Sequence, residues 1–241
     1  MTMQIIDIIN GFLALIFIVI SIIVGLIFFS KYRANKEKTL IYVGITWIIM
    51  SEPWWGHTVS FLFALFTGDG LTIQAIYFLS ATFVPIGLTA WLAAFTNLVY
   101  KNKQKLILII AIICQIIFEI IFLYVLFTNP SLIAISRSPV ESINQPLILG
   151  YFLIVIAIFL LTGIKFTLVA MRSDKADTQL KGKILLIAIL SYVIGAIWDG
   201  LVSSEGILSI GGRIILVFSA FGFYHGFILP DWLKKIFQKN K

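Results

Sequence analysis

Charge is scarce in this chain. Only 12% of its 241 residues are Asp, Glu, Lys or Arg, against about a quarter in an ordinary soluble domain, which argues against a water-soluble enzyme. Cysteine is nearly absent: Cys114 is the single one, so an intrachain disulfide is excluded. Histidine is limited to His57 and His225. The first falls toward the outer end of its apolar run and the second some 20 Å from the outer end of its own, at about 1.5 Å per helical residue. They do not suit one shared metal ion, and neither a metal nor a cofactor is expected. No glycine-rich phosphate loop, C-x-x-C pair or Ser–His–Asp constellation occurs.

What the chain has in excess is apolar length. Hydrophobic residues make up 60% of it, and its mean hydropathy is +1.05. Continuous apolar runs fall at Ile5–Ser30, Leu40–Phe66, Thr72–Tyr100, Leu106–Phe127, Pro146–Met171, Ile184–Ser203 and Ser209–Leu229. Each is long enough to cross the hydrocarbon as a helix, and none shows the ten-residue alternation of a barrel strand. The expected fold class is therefore an all-α integral membrane protein, a seven-transmembrane helix bundle over residues 1–229. Residues 230–241 follow as a cytoplasmic amphipathic, basic tail. The length leaves no room for a separate soluble domain. The N-terminus carries no Lys or Arg before its long apolar run, so it reads as a retained first helix and not a signal peptide.

Basic residues set the expected direction. Lys31, Arg33, Lys36 and Lys38 follow the first run, Lys101, Lys103 and Lys105 the third, and Arg172, Lys175, Lys181 and Lys183 the fifth. With Lys234, Lys235, Lys239 and Lys241 in the tail, 15 fall on one side. This predicts an outside N-terminus, a cytoplasmic C-terminus and a multi-pass location in a plasma or inner membrane. The basic clusters then meet anionic lipid at the cytoplasmic face and do not indicate nucleic-acid binding. In DWLKKIFQKNK, Trp232, Leu233, Ile236 and Phe237 form an apolar stripe suited to the interface, after a break at Pro230.

Ionisable side chains at bilayer depth are functional candidates by default. Glu52, His57, Glu119 and Asp199 all fall in the outer half, roughly 20–27 Å above the cytoplasmic ends of their helices. One cavity open to the outside would solvate them together. Trp54 and Trp55 flank Glu52 and His57, Trp198 adjoins Asp199, and Gln115 shares a helix face with Glu119. Carboxylates walled by tryptophan suit an organic cation. The expected ligand-binding set is therefore Glu52, Trp54, Trp55, His57, Gln115, Glu119, Trp198 and Asp199, with no catalytic residue. Pro53 and Pro85 are expected to kink their helices and free carbonyls beside Glu52. Gly222 and Gly226 allow close helix contact, as internal packing more than dimerisation.

Trp54, Gly56 and Ser60 match Trp198, Gly200 and Ser204 at equal spacing, which suggests two parallel three-helix repeats joined by the fourth helix. The final helix runs out through GFILPDWLKK. With seven helices and an outside N-terminus, the chain resembles the seven-transmembrane sensor regions that precede histidine kinases in bacteria and archaea. The resemblance implies signal reception in the membrane and transmission to a cytoplasmic partner, here a separate one. The expectation is a receptor-like or sensory protein with an outward-facing acidic, aromatic pocket for a small cation or protons. The alternatives are a small proton- or cation-coupled transporter and a membrane assembly or scaffold subunit. A retinal protein is disfavoured because the last run holds no lysine for a Schiff base.

Overall fold

The computed structural model describes residues 3–202 and 207–238. The described helices, in order, are α1 (Ile5–Asn35), α2 (Lys38–Met50), α3 (Trp55–Thr67), α4 (Ile73–Ala81), α5 (Val84–Val99), α6 (Gln104–Thr128), α7 (Pro146–Met171), α8 (Ala176–Val202), α9 (Ile207–Ile228) and α10 (Asp231–Gln238). Six stretches among the described residues are long and apolar enough to cross a membrane: α1, the α4–α5 pair, and α6 to α9. This marks the chain as a multi-pass helical membrane protein.

The two runs with an internal proline are broken, not merely bent. Between α2 and α3 the chain makes a single tight turn at Glu52–Trp54, with Pro53 inside it. Between α4 and α5 it breaks at Thr82 and Phe83, and Pro85 sits in the first turn of α5. Proline lacks the N–H that a continuing helix needs but suits the start of a new one. The backbone groups freed at the breaks are taken up by side chains. The Tyr192 hydroxyl donates to the Met50 carbonyl at 2.9 Å, the Ser51 hydroxyl to the Ile48 carbonyl at 2.7 Å, and the Phe83 amide to Glu52 Oε1 at 2.7 Å.

The chain is not wholly helical. Strands β1 (Ala134–Ser138) and β2 (Glu141–Asn144) pair antiparallel between α6 and α7, with a bulge between Ser136 and Ser138. The short alternating segments AISRS and ESIN, turned at Pro139, explain the hairpin. Helices α1 and α8 also run beyond their apolar stretches. They carry Lys31, Arg33, Lys181 and Lys183 on helical extensions instead of in loops.

Among the described residues, two cores hold the bundle. One centres on Trp47, Trp91, Tyr192 and Phe223, with Trp47 stacked on Phe223 at 3.8 Å between ring centroids. The other gathers Tyr77, Leu88, Phe122 and Tyr151. Helix α9 lies closely along α8: a Cβ on Gly222 would sit 3.0 Å from the Ala188 Cβ, and one on Gly226 would overlap Leu185. The glycine spacing thus serves internal packing, as the sequence predicts. The N-terminus of α1, the α3–α4 turn and the hairpin share one end of the bundle, tied by Asp7–Ser138 and Ser60–Pro139 hydrogen bonds. The lysine- and arginine-rich turns share the other, where Lys234 of α10 pairs with Asp177 at 2.9 Å.

Candidate functional site

A cavity of about 110 Å³ opens beneath the hairpin. Its walls come from the α2–α3 break, α7, α8 and the start of α9, and Val140, Glu141, Ser142 and Asn144 form its roof. The hairpin is fastened over it by short polar contacts. His57 Nε2 and the Tyr77 hydroxyl each meet Ser142 Oγ at 2.8 Å, and Tyr77 also donates to Asn144 Oδ1 at 2.5 Å.

At one edge of the cavity Arg213 Nε donates to Asp199 Oδ1 at 3.1 Å, and both side chains are nearly buried. The other Asp199 oxygen accepts from Trp54 Nε1 at 2.7 Å. Arg213 Nη1 donates to the Asn10 carbonyl. The Asn10 side-chain amide in turn donates to Glu141 Oε1 at 3.1 Å and to Ser209 Oγ at 2.6 Å. One network therefore joins α1, the α2–α3 break, the hairpin, α8 and α9. Glu141 lies within electrostatic reach of the carboxylates of Asp7 and Asp199 and of the Arg213 guanidinium. Burial pushes the Glu141 carboxyl above its usual value, and Arg213 opposes the shift.

Of the eight residues singled out from sequence, Trp54, His57 and Asp199 line this cavity. Glu52, Gln115 and Glu119 do not. Glu52 and Trp54 are two residues apart in a tight turn, so one side chain reaches α5 while the other reaches α8. Gln115 and Glu119 lie on the inward face of α6, where Gln115 donates to Thr89 Oγ1 at 3.0 Å. Trp55 braces the break by donating to Ser51 Oγ at 3.0 Å. Trp198 is 40% exposed and donates to the Leu208 carbonyl at 2.9 Å, an environment unlike that of buried Trp54. Ser204, the last position of the suggested repeat, lies outside the described residues.

Sequence reasoning missed Asn10, Tyr77, Glu141, Ser142 and Arg213. Arg213 carried a signal, since a basic residue within an apolar helix at the depth of Asp199 calls for an acidic partner. No family model, curated protein or solved structure matches the chain.

Proposed function

We propose that the chain is a seven-helix sensory membrane protein that binds a small organic cation in the cavity beneath the hairpin. In this reading the α2–α3 pair, interrupted at Glu52–Trp54, counts as the seventh crossing. The concentration of Lys and Arg at the end away from the hairpin supports an outside N-terminus and a cytoplasmic C-terminus, in a plasma or inner membrane. The cavity then lies on the outer side, beneath the hairpin. The basic end and α10 face anionic lipid and a separate cytoplasmic signalling partner.

The carboxylates gathered at the cavity carry this proposal. Glu141 and Asp199 line the cavity with Arg213 beside the aromatic walls of Trp54, Tyr77 and Tyr192, and Asp7 lies within electrostatic reach of Glu141, a setting that favours a compact amine with an apolar body. The cavity also touches Met50 and Pro53 at one break and Val84 beside the other. A bound molecule there bears on both broken helices, which supports a sensory role.

The test is the melting temperature of the purified protein across a panel of organic amines, neutral analogues and carboxylates, since a ligand of the folded state raises it by mass action. An amine is expected to raise it, and Glu141→Gln to weaken that amine by roughly tenfold, the scale of one partly screened charge. Equal shifts from neutral analogues would overturn the choice of ligand class.

A cation-coupled transporter is the alternative. It is favoured by the meeting of two broken helices at Glu52, because discontinuous helices often frame transport sites. Substrate flux into proteoliposomes, lost in Glu52→Gln, would support it over sensing.

A further inference from the structure

We propose that Glu52 and Glu119 hold one exchangeable proton between them, at a site separate from the outer cavity, and that this proton governs how the two broken helices are pinned together. The proposal does not depend on the ligand of that cavity.

Glu52 is fully buried. Its Oε1 accepts from the Phe83 amide, but Oε2 has no hydrogen-bond partner. Glu119 is half-buried, and neither of its carboxylate oxygens has a partner. The two carboxylates lie within electrostatic reach of each other. A third group points to the same place independently. Tyr151 of α7 is only 8% exposed, its hydroxyl has no partner, and it lies within electrostatic reach of both acids. Gln115 Oε1 and Thr82 Oγ1, next in chain to Glu119's helix turn and to Phe83, are also buried without partners.

Asp199 has Arg213, whereas no ion pair among the described residues involves Glu52 or Glu119. Two unpaired carboxylates in a low-dielectric interior repel each other and lose hydration. One proton removes one of the charges and supplies an O–H donor to a cluster that otherwise holds mostly acceptors. The proton arrives from water and returns to it, and only an O–H bond forms or breaks.

The consequence reaches the helix breaks. An ionised Glu52 grips the Phe83 amide through a charge-assisted hydrogen bond, which is stronger than one to a neutral acid. Protonation of Glu52 therefore loosens the clamp between the α2–α3 turn and the start of α5. Glu119 on α6 and Tyr151 on α7 are the titratable groups facing Glu52 from the neighbouring helices.

The test is infrared difference spectroscopy of the full-length protein in lipid nanodiscs, titrated with acid and base. The readout is the carbonyl stretch of a protonated carboxyl and its shift in heavy water. Wild-type protein is expected to show this band at neutral pH. Glu52→Gln should remove it, and Glu119→Gln should move its titration to lower pH by relieving the repulsion. Glutamine at residue 52 keeps a carbonyl acceptor for the Phe83 amide, and the wild-type titration alone decides whether a proton is held, even if a variant is unstable. No protonated-carboxyl band at neutral pH would overturn the proposal. So would a band unchanged in both variants, or a wild-type titration displaced by sodium but not by choline at equal ionic strength, which would assign the site to a metal cation.

Discussion

Asp199 and Arg213 meet at 3.1 Å across the α8–α9 connection, nearly shielded from solvent, and each is held by a further partner: Trp54 on the aspartate and the Asn10 carbonyl on the arginine. Such a pair contributes little to stability when intact but penalises the loss of either member, because the survivor is left buried and unpaired. Asp199→Asn and Arg213→Leu should each destabilise the protein by roughly 3–5 kcal/mol. The double replacement Asp199→Leu, Arg213→Leu should recover much of that loss. Thermal or chemical unfolding in detergent measures all three. Asp199→Asn is for this reason a poor probe of ligand binding, and Glu141→Gln a better one.

The pH dependence of the hairpin end follows from Glu141. Burial, the largest cause, raises its carboxyl above the ordinary 4.5. A group raised in the folded state contributes stability that is full below its unfolded value and is lost as the pH climbs through its folded one. The wild type should therefore lose melting temperature relative to Glu141→Gln as the pH rises above 4.5 and through the raised value. A constant difference between the two would remove Glu141 from the pH response.

How much of this was legible in the sequence varies by element. The apolar runs and the flanking lysines are local features, so the helices could be placed from composition alone. Pro53 and Pro85 announced both interruptions, though not that each would start a fresh helix. Depth could also be counted along a helix, and it put Glu52, Glu119 and Asp199 at similar heights. Rotation about the helix axis could not, and it is rotation in the Glu52–Trp54 turn that sends Glu52 and Trp54 to different neighbours. The Asn10–Glu141 bond joins residues 131 positions apart, and no local pattern encodes such a contact.

Helices α3 and α4 approach each other closely in the outer half. Gly56 donates its amide to Ser80 Oγ at 3.0 Å, and a Cβ there would overlap the Ile76 carbonyl oxygen. Because the obstacle is backbone, a flexible side chain cannot yield to relieve it. Gly56→Ala should destabilise by roughly 1–3 kcal/mol. Gly150→Ala, where the added Cβ meets nothing within 4 Å, should be tolerated in the same unfolding assay.

At the opposite end, Asp177 raises the Lys234 ammonium above its usual value through their hydrogen bond. The pair is solvent-exposed, so its loss should barely change global stability. Asp177→Asn should instead speed hydrogen exchange in α10 while leaving α8 and α9 protected, which hydrogen–deuterium exchange resolves helix by helix. The contribution of Lys234 to this docking persists through neutral pH and is lost only as the pH rises through its raised value.

The proposed function requires a cation to reach the cavity from the outside. Gly200 lines the cavity and has open space where a Cβ would stand. The most direct measurement labels Gly200→Cys, in a Cys114→Ser background, with a membrane-impermeant maleimide on sealed right-side-out vesicles. Labelling from outside, slowed by the amine that most raises the melting temperature and not by its neutral analogue, is the predicted result. Labelling only after the vesicles are opened, or labelling indifferent to every amine, would contradict it.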